Sequence, residues 1–357
     1  SIKMAIRIGI VGCGAIANLH AASYQKLGDR VELVACCDVE KGRADAFVER
    51  YGFKKSYSDE KQMLEECELD AVSVCTWNSQ HKPCTMLALD AGVNVLCEKP
   101  MAMNTAEALE MEECARRNGK LLMIGFVRRH GNDAATALDF INKGYLGDIY
   151  CAKVSYLRRA GFPGNWFGDK SYSGGGPLID LGVHVIDLSR YLCGNPKPVT
   201  VFGATFSKLG TRKNLKSVVL PWESTSDVKK KEYKFDVEDF VTAMIRFDNG
   251  LLVTAEASFS LNIEKDTGNV ELLGTKAGLT LSPFVLHTEC NDMLADTVIR
   301  ANIGEGDFFR AEMENFVNAI EGIAPCKAPA EDGVELMRIL DAIYESAETG
   351  KSVDIVR

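Results

Sequence analysis

Ile6-Arg7-Ile8-Gly9-Ile10-Val11-Gly12-Cys13-Gly14-Ala15-Ile16-Ala17 is the stretch from which the fold can be read. Its first half is rich in β-branched and apolar residues, as a buried parallel strand requires. Gly12-x-Gly14-x-x-Ala17 then turns the chain into a helix that runs to about Leu27. In a dinucleotide-binding turn the first glycine allows the tight bend. The second lets the main chain approach a pyrophosphate, and the third small residue lets helix and strand pack closely. Ala15 and Ile16 would present main-chain N–H groups at the helix N-terminus, where partial positive charge favours phosphate. A second strand, Val31–Cys37, closes on Asp38, 24 residues beyond Gly14. A carboxylate there is expected to accept from the adenosine ribose and to repel a 2′-phosphate, so NAD is favoured over NADP. Arg43, with Lys41, lies close enough in sequence to soften that preference.

Outward from this unit the pattern repeats. Helical stretches near 40–51, 80–91 and 105–117 alternate with strand-like Ala71–Thr76, Asn94–Cys97 and Leu121–Phe126. Such alternation implies right-handed βαβ units and a doubly wound parallel sheet, a Rossmann α/β domain over residues 1–126. Beyond it the rhythm changes. After a helix near 132–143 come strand-like runs at 149–159, 198–207, 240–247, 251–259, 269–273 and 279–281. Asp248-Asn249-Gly250 is a hairpin signal, and Gly274 to Gly278 is a second one. Two helices near 307–322 and 331–349 complete an α+β domain over 127–357 with a mainly antiparallel sheet. Residues 208–236 are polar and irregular, and a surface excursion is expected there.

Composition narrows the function. The 357 residues carry 41 basic and 50 acidic side chains, a net charge of −9. Phosphate affinity needs clustered Lys and Arg, so no nucleic-acid partner is expected. No apolar run spans a bilayer, and no secretory leader precedes the first strand, so no membrane partner is expected. The twelve cysteines form no C-x-x-C pair, and several sit in apolar runs as small hydrophobes. A reduced, cytoplasmic protein is the expectation. The five histidines show no paired ligand spacing, so no metal is expected.

Two segments carry chemistry. Glu98-Lys99-Pro100 follows an apolar strand, at the sheet edge where open α/β folds bind ligands. Pro100 restricts the conformation of Lys99 and so the direction in which its stem leaves the strand. Gly174-Gly175-Gly176-Pro177 opens a helix in which Asp180, His184 and Asp187 recur at i, i+4 and i+7 and share one face. The residues between them are apolar. A carboxylate one turn from an imidazole can hold its tautomer and raise its basicity. Arg158, Asn165 and Trp166, in the loop before the glycines, offer hydrogen-bonding groups and an aromatic surface for substrate.

Taken in order, the glycine turn, Asp38, Glu98-Lys99-Pro100 and Gly-Gly-Gly-x-x-x-Asp180-x-x-x-His184 resemble the glucose–fructose oxidoreductase/inositol dehydrogenase (Gfo/Idh/MocA) family. The segment Asp70 to Thr76, with Asn78 and His81, resembles the same family's next cofactor-contacting turn. The resemblance covers nearly the whole chain. It implies a Rossmann domain followed by a large open sheet that often mediates homo-oligomerisation as a dimer, tetramer or hexamer. It also implies NAD(P)-dependent oxidation of a sugar or cyclic polyol. It places Lys99, Asp180 and His184 in the catalytic set, contacting substrate, and Thr76, Asn78, His81 and Glu98 beside the cofactor with Lys99.

The residue types then suggest roles. His184 would be the general base, Lys99 would stabilise charge on the same oxygen, and Asp180 would orient His184 or bind a neighbouring hydroxyl. Arg-Arg-x-Gly-x-Pro-Gly at 158–164 looks like relatives that oxidise inositols or the C3 hydroxyl of glucosides to a 3-keto sugar. A sugar or glycoside comes first and an inositol second. An NAD-dependent redox glycosidase and a non-enzymatic NAD-sensing regulator are the rivals; the intact Lys99, Asp180 and His184 count against the regulator. Replacing Lys99 by Ala should abolish most turnover while leaving NAD affinity unchanged, as read by steady-state rates and NADH fluorescence. Near-normal turnover would remove Lys99 from the mechanism.

Overall fold

The computed structural model describes residues 4–210, Arg212, Leu215 and 232–357. Most of the surface excursion expected at 208–236 lies outside the described residues. In chain order the first elements are β1 (Ile6–Val11), α1 (Ala15–Gln25), β2 (Val31–Cys37), α2 (Lys41–Tyr51), β3 (Lys55–Tyr57) and α3 (Glu60–Glu66). Then come β4 (Ala71–Val74), α4 (His81–Asp90), β5 (Asn94–Cys97), α5 (Thr105–Asn118) and β6 (Leu122–Ile124). Next are α6 (Asn132–Asn142), β7 (Ile149–Leu157), α7 (Lys170–Ser173), α8 (Val183–Leu192), β8 (Pro198–Phe206), β9 (Phe240–Phe247) and β10 (Leu252–Ser258). The chain ends with β11 (Thr267–Gly274), β12 (Gly278–Thr280), β13 (Val285–Cys290), β14 (Met293–Val298), α9 (Phe308–Ile320), α10 (Ala330–Thr349) and β15 (Val353–Asp354). No described helix is long and apolar enough to cross a membrane.

The chain forms two compact units. One comprises residues 1–130 and 307–334, the other 131–306 and 335–357. The linear reading divides the chain at 126 and gives everything after it to one domain. In the structure 307–334, which holds α9, returns to the first unit.

The first unit is a six-stranded parallel sheet of order β3-β2-β1-β4-β5-β6. The order reverses between β1 and β4, the doubly wound arrangement with its ligand crevice at the reversal. All four residues of β4 are buried, as expected of a central strand covered on both faces. Sequence reading omits β3 and α3. β3 is only three residues long, with one buried side chain, so it offers almost no periodic signal. Inside this unit Arg129, fully buried, donates to Asp332 (3.0 Å) and to the Lys327 carbonyl (2.9 Å), which ties the returning segment to the end of the sheet.

The second unit is a nine-stranded sheet of order β14-β13-β12-β11-β7-β10-β9-β8-β15. Only the central pair β7 and β10 is parallel. Along β9 the burial alternates strictly: Val241, Ala243, Ile245 and Phe247 face the core. On the opposite face Phe202 pairs with Met244, and these are 49% and 47% exposed. Phe206 stacks on Phe240 along the same face. The strands β13 and β14 were absent from the sequence reading because their residues are mostly exposed and lack the alternation that marks a half-buried strand.

Candidate cofactor and catalytic site

Gly12 ends β1 with φ of +89°, a conformation that glycine adopts without strain. A Cβ at Gly12 would lie 2.8 Å from the Cys75 carbonyl oxygen, so the ends of β1 and β4 touch only because no side chain intervenes. Gly14 is the reverse case: a Cβ there would meet nothing within 4 Å. Gly14 is also the N-cap of α1, and this helix start has no side-chain cap and no acidic residue in its first turn. Its first N–H groups and their positive field are therefore left for an anion. Ala17 is fully buried, as the third small position requires. The residues present fit a pyrophosphate.

Asp38 closes the turn from the other side. Its Oδ2 accepts from the Cys13 N–H and its Oδ1 from the Glu40 N–H, both at 2.8 Å. A carboxylate offers about four lone-pair directions, so capacity for a ribose remains. The two basic residues that might have recruited a 2′-phosphate are already paired: Arg43 with Glu40 (3.1 Å) and Lys41 with Asp45 (2.9 Å).

The turns after β4 and β5 are joined by His81. Its ring nitrogens lie 2.6 Å from the Pro100 carbonyl and 3.2 Å from the Thr76 carbonyl. Burial holds its pKa below the ordinary histidine value, so the ring is neutral and one nitrogen donates. Thr76 Oγ1 donates to the Trp77 carbonyl, and Asn78 is buried in the same turn. Glu98 is turned into the interior of its unit. Its Oε2 accepts from the Lys99 N–H (3.2 Å), and its Oε1 lies 2.7 Å from His20 Nε2. His20 Nδ1 continues to Ser73 Oγ (2.9 Å), which meets Tyr24 OH (2.7 Å). Burial alone would raise the Glu98 pKa, but the His20 hydrogen bond and the charges of His20 and Lys99 hold it below the usual range.

Glu312 on α9 completes this buried group, and its carboxylate oxygens have no hydrogen-bond partner among the described residues. Burial, and then the negative Glu98, keep Glu312 protonated. His20, Glu98 and Glu312 have ligand-type atoms all within 4.8 Å of one another. Two atoms on one tetrahedral zinc sit about 3.3 Å apart, given bonds of about 2.0 Å. The 2.7 Å contact between His20 and Glu98 is the length of a hydrogen bond with a proton between them. Sequence reading missed this cluster. Its one signal was a carboxylate, Glu312, on an apolar helix face between Phe308 and Phe316.

In the second unit a five-residue π-helical turn, Leu178–Gly182, leads into α8. Such turns are frequent at functional sites. From Gly175 to Arg190 every residue is buried except Asp180 and His184. The sequence pattern placed Asp187 on the same face, but Asp187 is 1% exposed and does not share their access. His184 and Asp187 both lie in α8 at regular spacing, so what covers the helix, and not the residue count, makes the difference.

The loop at 158–168 behaves unevenly. Arg158 donates to the Gly161 carbonyl (2.9 Å) and lies over the Tyr156 ring, so its guanidinium shapes the loop. Asn165 is exposed with φ of +52°, and Trp166 stacks on Phe167 with centroids 4.1 Å apart.

A strand-order reversal with a phosphate-accepting turn is the arrangement of a dinucleotide-binding protein. Comparison with known proteins makes this specific. The model of an oxidoreductase family with an NAD-binding Rossmann fold matches residues 6–126, and that of the GFO/IDH/MocA C-terminal domain matches 134–280. The chain is 37% identical over 353 residues to D-glucoside 3-dehydrogenase of Escherichia coli K12, covering 98% of this chain and 97% of that one. It is 26% identical over 353 residues to inositol 2-dehydrogenase of Salmonella typhimurium, covering 98% and 96%. The solved structure of levoglucosan dehydrogenase in complex with NADH shares the fold, with a TM-score of 0.84 at 24% identity over 99% of both chains. The chain belongs to the Gfo/Idh/MocA family, and these named relatives are sugar and cyclitol dehydrogenases.

The geometry at Asp38 predicts the consequence of removing its charge. Asp38→Asn should weaken NAD binding by roughly tenfold, about 1.4 kcal/mol, and narrow the preference for NAD over NADP. Titration of the variant with both nucleotides checks this; an unchanged NAD affinity would take Asp38 out of the cofactor site.

Proposed function

We propose that this protein oxidises a ring secondary alcohol of a sugar or glycoside, the C3 hydroxyl, to a 3-keto sugar with NAD as acceptor. The observation that carries the reading is the near full-length similarity to D-glucoside 3-dehydrogenase. The accessible Asp180–His184 pair in an otherwise buried segment supports it. The unit of 1–130 and 307–334 would form the NAD-binding domain, and that of 131–306 and 335–357 the substrate-binding and oligomerisation domain.

The chemistry that NAD would supply when bound is a hydride acceptor for the carbinol carbon. Gly12, Gly14, Ala15 and Ile16 would hold its pyrophosphate, Asp38 its ribose, and Thr76, Asn78, His81 and Glu98 would line its remaining length. His184 takes the hydroxyl proton as general base and returns it in the reverse direction. The Lys99 ammonium donates to the same oxygen and stabilises its developing negative charge. Asp180 orients His184 or accepts from the neighbouring hydroxyl. Asn165 and Trp166 would present a polar group and an aromatic surface to the sugar, with Arg158 holding the loop behind them.

NADH formation with glucose, a methyl glucoside, an aryl glucoside, myo-inositol and scyllo-inositol tests the reading. NADH and a 3-keto product are expected from glucose or the glucosides. A response confined to the inositols would replace the glycoside with a cyclitol. Aglycone release without NADH would indicate a redox glycosidase, and binding of NAD without turnover of any of the five would indicate a regulator.

The twelve free cysteines support a reducing, cytoplasmic setting for the protein. The exposed Phe202, Phe206 and Met244 on the open sheet face support homo-oligomerisation through that face. Phe202→Glu should lower the assembled mass in analytical ultracentrifugation; an unchanged mass would exclude this face as the interface.

A further inference from the structure

The helix that carries Asp180 and His184 begins without a local cap: Pro177 precedes it and no side chain of the entry segment bonds its amides. A helix start must nevertheless satisfy its first N–H groups. Ile179 and Asp180 donate to the Gly176 carbonyl at 3.0 and 3.1 Å. The Gly176 amide, just before the helix, is taken by one residue 62 positions downstream. The Gly176 N–H donates to Glu238 Oε1 and Oε2 at 2.9 and 3.0 Å. Tyr344 OH, from α10, donates to Glu238 from the other side. Glu238 is 7% exposed, so its charge has been removed from water for these bonds.

The glycine run fits this contact. A Cβ on Gly176 would lie 2.2 Å from the Glu238 carbonyl oxygen, and one on Gly175 would lie 2.0 Å from Tyr344 OH. Glu238 and Tyr344 approach the main chain at the points where glycines leave room. An ordinary N-cap would need a Ser, Thr, Asp or Asn at the helix entry, and that place is occupied by Gly-Pro.

We propose that Glu238, braced by Tyr344, is a positioning residue that anchors the entry to the Asp180–His184 segment through the Gly176 amide and sets the placement of both side chains for proton transfer. The inference rests on the reading of Asp180 and His184 as catalytic groups. A carboxylate near a helix N-terminus also interacts favourably with the helix dipole, so one group satisfies the Gly176 amide and complements the field. Gln at 238 retains one carbonyl acceptor of similar size, whereas Leu retains volume and no acceptor. A role in packing alone would make these two variants alike; a role through hydrogen bonding separates them.

The test compares Glu238→Gln, Glu238→Leu, Tyr344→Phe and His184→Ala in the full chain, with glucose or a methyl glucoside as substrate. NADH affinity is followed by fluorescence, and the His184 ring by NMR. Expected are a kcat loss of roughly fivefold for E238Q and about a hundredfold for E238L, with NADH affinity unchanged and the His184 resonance shifted in E238L. Y344F should lose about threefold and, because it keeps its ring, tests the brace if E238L does not fold. Equal losses in E238Q and E238L, or unchanged kcat in E238L and Y344F, would overturn the proposal. Full turnover in H184A would instead overturn the reading of the catalytic pair on which it rests.

Discussion

Carboxylates holding main-chain amides are the interaction on which the chemistry of this protein depends. Asp38 takes the Cys13 and Glu40 amides and closes the phosphate turn. Glu98 takes the Lys99 amide and is itself held by His20. Glu238 takes the Gly176 amide at the entry to the Asp180–His184 helix. Each lies where a regular element stops and a reactive or ligand-binding group must be placed. Such segments have no ladder to satisfy their N–H groups, and a charge-assisted bond costs less conformational freedom than a long ordered loop.

Burying these carboxylates is costly, and the protein answers in different ways. Glu98 is held below the usual range because the His20 hydrogen bond and the Lys99 charge oppose the cost of burial. Glu312, close by and without a hydrogen-bond partner among the described residues, is kept neutral. Glu238 is intermediate: burial pushes its carboxyl up to about 7 against the bonds from Tyr344 and the Gly176 amide. The outcome follows from the local balance of desolvation against donors, since the three groups share one chemistry.

Glycines do three separate things here. At Gly12 the absent Cβ lets two strand ends touch, at Gly14 it leaves space outward, and at Gly175 and Gly176 it admits a side chain from elsewhere in the fold. Only the first two belong to a local pattern. This difference explains why the phosphate turn was legible in sequence, while the reason for the later glycines was not.

Much of the fold could be read from one chain. The strand–turn–helix at 6–17, the acidic residue at 38 and the alternation of strands and helices are short-range patterns, and local sequence carries them. The same holds for Asp180 and His184, one turn apart in an apolar segment. Tertiary structure decided the rest. The weak strand β3 and the exposed edge strands β13 and β14 gained definition from their neighbours. Packing around α8 buried Asp187 and left the pair accessible. His20 met Glu98 across 78 residues, and Glu238 met Gly176 across 62. Pairings of that range leave no periodicity in the sequence, because the geometry that selects the partner exists only once the chain has folded.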